Sequence, residues 1–126
     1  MKEFVYDSGA LIAVERCGDA LRDHQTRLSR GHQIFVPAPV VAQVVREPRR
    51  QARLMLTLRG CDIVPFTKEE AFPVSSLLAN AGTSDVVDGF VALTAATTGG
   101  AVVTSDADDI RHLLRTLGVR RPVIAP

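Results

Sequence analysis

Five aspartates carry the chemistry this chain could perform. Asp85 and Asp88 lie three residues apart, and Asp106 and Asp109 repeat the spacing. On a helix that spacing puts two side chains on one face, with Cβ atoms roughly 5–6 Å apart. Asp7 follows the short apolar run Phe4-Val5-Tyr6. Taken singly, each acid is an ordinary helix cap or dipole partner. Their surroundings argue for more. Residues 69–110 hold seven acids and no Lys or Arg, and the rest of the chain holds all 15 bases and the other seven acids, a balance of +8. Carboxylates gathered without bases repel one another unless a cation holds them. An all-oxygen ligand set selects Mg²⁺ or Mn²⁺ over zinc. One or two such ions activate water and stabilise the leaving oxygen of a phosphodiester, so no covalent nucleophile is needed. No Ser–His–Asp pattern is visible, and Ser8, next to Asp7, has no base partner.

The basic part of the chain points to a polyanionic substrate. Arg46, Arg49, Arg50 and Arg53 recur at spacings of three and four. Guanidinium forks suit phosphate oxygens, although a solvated helix face would read the same way. Aromatic residues are only 5% of the chain, so base stacking is a minor part of any recognition.

The elements that must position these residues alternate between strand and helix. Short strands are predicted at 4–7, 34–36, 62–65, 101–104 and 123–124. Helices are predicted from Gly9 to about Arg16, to about Ser29 with Asp19 as its cap, from Pro37 to about Arg46, and from about Arg49 to Leu58. Thr67-Lys68-Glu69-Glu70 is a capping-box pattern opening the next helix. Thr83 or Ser84 is expected to cap a helix carrying Asp85 and Asp88, and Ser105 or Asp106 begins one reaching Leu117. This alternation argues a mostly parallel sheet of four to five strands with helices on both faces, a three-layer α/β/α arrangement. In such sheets functional residues sit beyond the carboxyl ends of the strands, where Asp7 and Asp106 fall.

A length of 126 residues suits one domain, 1–126. The composition, 46% hydrophobic and 23% charged, is that of a soluble globular chain. No apolar run approaches the roughly 18 residues of a membrane span, and the early charges of the N-terminus argue against a secretory signal. The expected location is the cytoplasm. Cys17 and Cys61 match no paired motif and are read as half-buried reduced thiols. His24, His32 and His112 lack metal-ligand spacing and are read as surface or packing residues.

The order of these motifs resembles the PIN-domain family over essentially the whole chain. The resemblance rests on Asp7-Ser8-Gly9-Ala10-Leu11, Val36-Pro37-Ala38-Pro39-Val40-Val41-Ala42, Thr83-Ser84-Asp85-Val86-Val87-Asp88 and Val102-Val103-Thr104-Ser105-Asp106. It implies a small Mg²⁺- or Mn²⁺-dependent endoribonuclease, similar to the VapC-type toxins of that family. Such a toxin is restrained by a cognate VapB-like antitoxin and is commonly a homodimer. Under the resemblance Asp7, Asp88 and Asp106 are the catalytic, metal-holding acids, with Asp85 and Asp109 in support. Thr104 matches the position that orients the first acid, and Ser8 and Gln43 are grouped with it as orienting residues. Arg46, Arg49, Arg50 and Arg53 are the expected RNA contacts. Two positions depart from the pattern. Gln43 stands where a glutamate is usual, which removes a negative charge and weakens cation binding or shifts the task to Asp85 or Asp109. Glu47, at i+4, is a candidate to compensate. Gly89 replaces the usual alanine, at a helix cost of roughly 1 kcal/mol. Two other readings stay open, a catalytically weak or inactive PIN-fold interaction module and a structure-specific DNA nuclease.

Overall fold

The computed structural model describes residues 2–126. Five strands, β1 (Glu3–Tyr6), β2 (Gln33–Pro37), β3 (Asp62–Val64), β4 (Ala101–Val103) and β5 (Val123–Ile124), form one sheet in the order β3-β2-β1-β4-β5. Every pairing is parallel. Val5 faces Phe35 on one side and Val102 on the other. The central strands are buried runs of β-branched and aromatic residues, as a sheet covered on both faces requires: Val5, Tyr6, Val36, Val102 and Val103 are all buried.

The helices divide into two groups. The first is α1 (Ser8–Arg16), α2 (Gly18–Ser29), α3 (Ala38–Val44) and α4 (Ala52–Arg59), and the second is α5 (Lys68–Ala81), α6 (Val86–Thr98) and α7 (Ala107–Leu117). In the first group α2, α3 and α4 each pack on α1, and the three helices of the second pack on one another. The result is a three-layer α/β/α fold around a five-stranded parallel sheet, at the upper end of the strand number expected. Chain direction reverses across β1, whose neighbours β2 and β4 lie on opposite sides. A crevice forms at such a switch point, beyond the carboxyl ends of the strands.

Several boundaries differ from the sequence expectation. The expected helix to Arg46 stops at Val44. The side-chain amide of Gln51 holds the chain beyond it, donating to Val44 O at 2.9 Å and accepting from the amides of Arg46 and Glu47 at 2.8 and 3.0 Å. Glu47 precedes a proline and is driven out of the helical region, with φ −133° and ψ 89°. A 3-10 turn at Pro48–Arg50 follows, and α4 starts only at Ala52. Asp19 does not cap α2; it lies in the first turn and pairs with Arg22. Thr67 and Glu70 form the expected capping box on α5. Cys17 and Cys61 are both free, Cys17 exposed and Cys61 half-buried. His24 is a packing residue, buried, with Nδ1 against the Tyr6 hydroxyl at 2.9 Å.

Candidate active site

Asp7 is the first residue after β1, and its backbone N–H still reaches Val103 O at 3.3 Å. Its side chain then leaves the sheet and caps α1, with Oδ1 accepting from the Ala10 N–H at 3.0 Å. The other oxygen, Oδ2, accepts from the Thr104 hydroxyl. That hydroxyl in turn accepts from the Asp106 N–H at 2.8 Å. One buried threonine therefore couples the carboxylate beyond β1 to the backbone beyond β4. Asp7 is 3% exposed and Thr104 1%, so the first acid is fixed from beneath. Burial pushes the Asp7 carboxyl up from its ordinary range, and the charge of Asp106 adds to this. The hydrogen bonds from Thr104 and Ala10 work against it.

The second contribution comes from the start of α6. Asp85 is not on that helix, and neither Thr83 nor Ser84 caps it. Asp85 is itself the cap, with Oδ1 accepting from the Asp88 N–H at 3.0 Å. A side chain that bonds back to the N3 amide satisfies an open helix donor, which explains why Asp85 displaces the expected caps. Asp88 lies in the first turn, half-buried. Its carboxyl is pushed up to about 7, first by burial and then by Asp85, Asp106, Asp7 and Asp109 in that order. All four other acids thus bear on one carboxyl. Asp106 precedes α7, but its side chain makes no capping bond. It is exposed beside Asp109 in a recess of about 400 Å³ at the start of α7.

Two glycines permit this arrangement. A Cβ on Gly9 would lie 2.1 Å from Ser105 Oγ and 3.0 Å from Ser105 Cβ, so the first turn of α1 packs against the turn after β4. A Cβ on Gly89 would lie 2.9 Å from Leu78 Cδ2 and 3.2 Å from Val74 Cγ1. Gly89 is thus more than a weak helix residue: it lets α5 approach α6 beside Asp88. In the sequence Ser105 reads only as a helix start and motif residue, and Gly9 only as part of the motif after Asp7; their packing against each other escaped.

Gln43 is exposed near the end of α3, and among the described residues neither it nor Ser8 hydrogen-bonds to an acid. Glu47 falls outside the helix, so the i+4 relation to Gln43 is lost, and its carboxylate pairs with Arg50 at 3.2 Å. The four arginines do not form one helical row. Arg46 lies beyond α3 and bonds Ala42 O, Arg49 and Arg50 occupy the 3-10 turn, and Arg53 reaches from α4 to Glu15 O at 3.2 Å. All four are exposed.

Among the described residues, no three His, Cys, Asp or Glu side chains are drawn together closely enough to hold a metal ion. The acids are nevertheless close enough to raise Asp88 through their charges. The donors are all oxygen and the region is unneutralised by bases, so its chemistry fits a hard divalent cation.

The fold is that of a PIN domain: the PIN-domain family model matches residues 4–113, and the chain belongs to that family. Among solved structures, the chain is similar to a chain of VapBC2 from Rickettsia felis, in a crystal structure with a DNA fragment from their promoter. The TM-score is 0.70 at 14% identity, over 98% of this chain and 97% of that one. It is also similar to PAE2754 from Pyrobaculum aerophilum, with a TM-score of 0.67 at 17% identity over 98% of this chain and 83% of that one. Likeness at such identities concerns the fold. No curated protein sequence matches the chain.

Proposed function

We propose that this PIN domain is a divalent-cation-dependent endoribonuclease and the toxin member of a toxin–antitoxin pair, with residues 1–126 working as a single domain. The observation that carries the reading is the raised Asp88 carboxyl facing Asp85, Asp106, Asp7 and Asp109. PIN domains are generally nucleases that use divalent metal ions. Here Asp7, Asp88 and Asp106 would hold the ion, Mg²⁺ or Mn²⁺, with Asp85 and Asp109 in support. The bound cation would supply positive charge to a scissile phosphate and its attacking water.

The chain's own residues do the rest. Thr104 and the Ala10 amide fix both oxygens of Asp7. Asp88, poised at about 7, is about half protonated at neutral pH and would give up that proton when a cation offsets its neighbours' charge. The exposed guanidiniums of Arg46, Arg49, Arg50 and Arg53 would contact the phosphate backbone of RNA. The similar Rickettsia felis protein is VapBC2, seen bound to a DNA fragment from its promoter, which supports a VapB-like antitoxin as partner; the proposed toxin is a homodimer acting in the cytoplasm.

The test is cleavage of matched RNA and DNA substrates with Mg²⁺, with Mn²⁺ and with chelator. RNA cleavage that requires the cation and is lost in Asp7→Asn supports the reading. Cleavage of DNA alone moves the assignment to a DNA nuclease. Two observations favour a second reading, an interaction module without activity: the position of the usual glutamate holds Gln43, and no closed ligand set is present among the described residues. Absence of any cation-induced rise in melting temperature would favour that reading.

A further inference from the structure

A second charged site lies on the sheet face carrying α2, away from the acidic rim. Lys2, Arg27, Arg30 and His32 line a cleft of about 390 Å³ together with Phe4 and Ile124 of β5. Asp23 is the one carboxylate among its lining residues. Among the described residues, none of the three cations forms an ion pair; the salt bridges present are Arg22–Asp19, Arg50–Glu47 and Arg111–Asp108. Most surface arginines and lysines are mobile. Arg27 is not, because its guanidinium lies 4.8 Å over the Phe4 ring and donates to the Tyr6 hydroxyl at 3.0 Å. That bond uses one of the five guanidinium donors. His32 is also fixed: its Nδ1 accepts from the Lys2 N–H at 3.1 Å, and its ring lies 5.7 Å from Phe4. An accepting Nδ1 leaves the proton on Nε2, a second oriented donor.

From this we infer that the cleft binds a phosphate group. Three unpaired cations and an oriented imidazole N–H around an open recess are what a phosphate's charge and oxygen acceptors require, and a held guanidinium loses less freedom on binding than a mobile one. The phosphate could come from an RNA backbone or from a free phosphate compound. The inference does not depend on the nuclease reading, since it concerns a different face.

The test is an amide NMR titration with pyrophosphate, against sodium chloride at matched ionic strength. Shifts should concentrate at Lys2, His32 and the end of α2. In the double variant Lys2→Gln/Arg30→Gln, whose side chains are exposed, pyrophosphate affinity should fall at least about tenfold. Arg27→Lys keeps the charge but loses the fork and should weaken binding as well. A second arm measures binding of a short RNA in chelator. If the RNA backbone is the source, the salt slope in the double variant falls by about 1 to 2. If only pyrophosphate responds, the source is a free phosphate compound and the site stands. Shifts reproduced by chloride, spread over all surface arginines, or unchanged in the double variant would overturn the inference.

Discussion

The acidic rim and the basic cleft flank the same strand, and they handle unpaired charge in opposite ways. In the cleft, Arg27 is held by aromatic rings and a hydroxyl, contacts that leave its charge intact. At the rim, Asp88 is held up by burial and by four like charges. Cations spread around an open recess repel one another only weakly through solvent. Carboxylates forced to share a half-buried site cannot all ionise, and one stores a proton. Under the proposed function, only the rim would change state when a counter-ion arrives.

The strongest break of this contrast is Asp88→Asn. Cation-dependent RNA cleavage should fall about 10²–10³-fold, whereas phosphate binding in the cleft should stay unchanged; single-turnover cleavage and the NMR titration read the two. Next is Thr104→Val, which removes the hydroxyl between Asp7 and the Asp106 amide. Losing a supporting partner of this kind should cost about 10–100-fold in activity or cation affinity. Cleavage kinetics against Mg²⁺ concentration separate the two effects.

The third prediction concerns pH. An acid whose pKa is higher folded than unfolded stabilises the fold at low pH, and that stability is lost as pH rises through the folded value. For Asp88 the window runs from the ordinary aspartate range up to about 7. The melting temperature of cation-free protein should therefore fall between about pH 5 and about pH 8. Asp88→Asn should flatten the slope, and saturating Mg²⁺ should oppose it. An unchanged slope in Asp88→Asn would remove this residue as the cause. The smallest effect is expected from Gly89→Ala. Better helix propensity contributes about 1 kcal/mol, but crowding of Leu78 and Val74 costs about 1–3 kcal/mol. The net loss should be about 1 kcal/mol in denaturant unfolding.

Much of what builds the rim was legible in the sequence because each acid is marked by its immediate neighbours. Asp7 and Asp106 follow apolar strand runs, and Asp85 and Asp88 carry their spacing with them. What escaped was long-range or side-chain-specific. Nothing near Gln51 reveals that its amide will end α3 early and break the row of arginines. Gly9 reads as a motif residue until Ser105, distant in sequence, comes within 2.1 Å of where its Cβ would stand. The layered fold was readable because each crossover announces itself by a change of hydrophobic period. The helix boundaries were not, because single side chains decide them.

The bond between Thr104 and Asp7 joins residues 97 positions apart. Every strand pairing is likewise parallel and waits for a helical crossover to close. During synthesis, the first acid leaves the ribosome long before its orienting hydroxyl and before Asp88 or Asp106. A nascent chain therefore carries no assembled acidic centre until nearly all of it has been made, and a chain cut short before β4 would lack both Thr104 and Asp106.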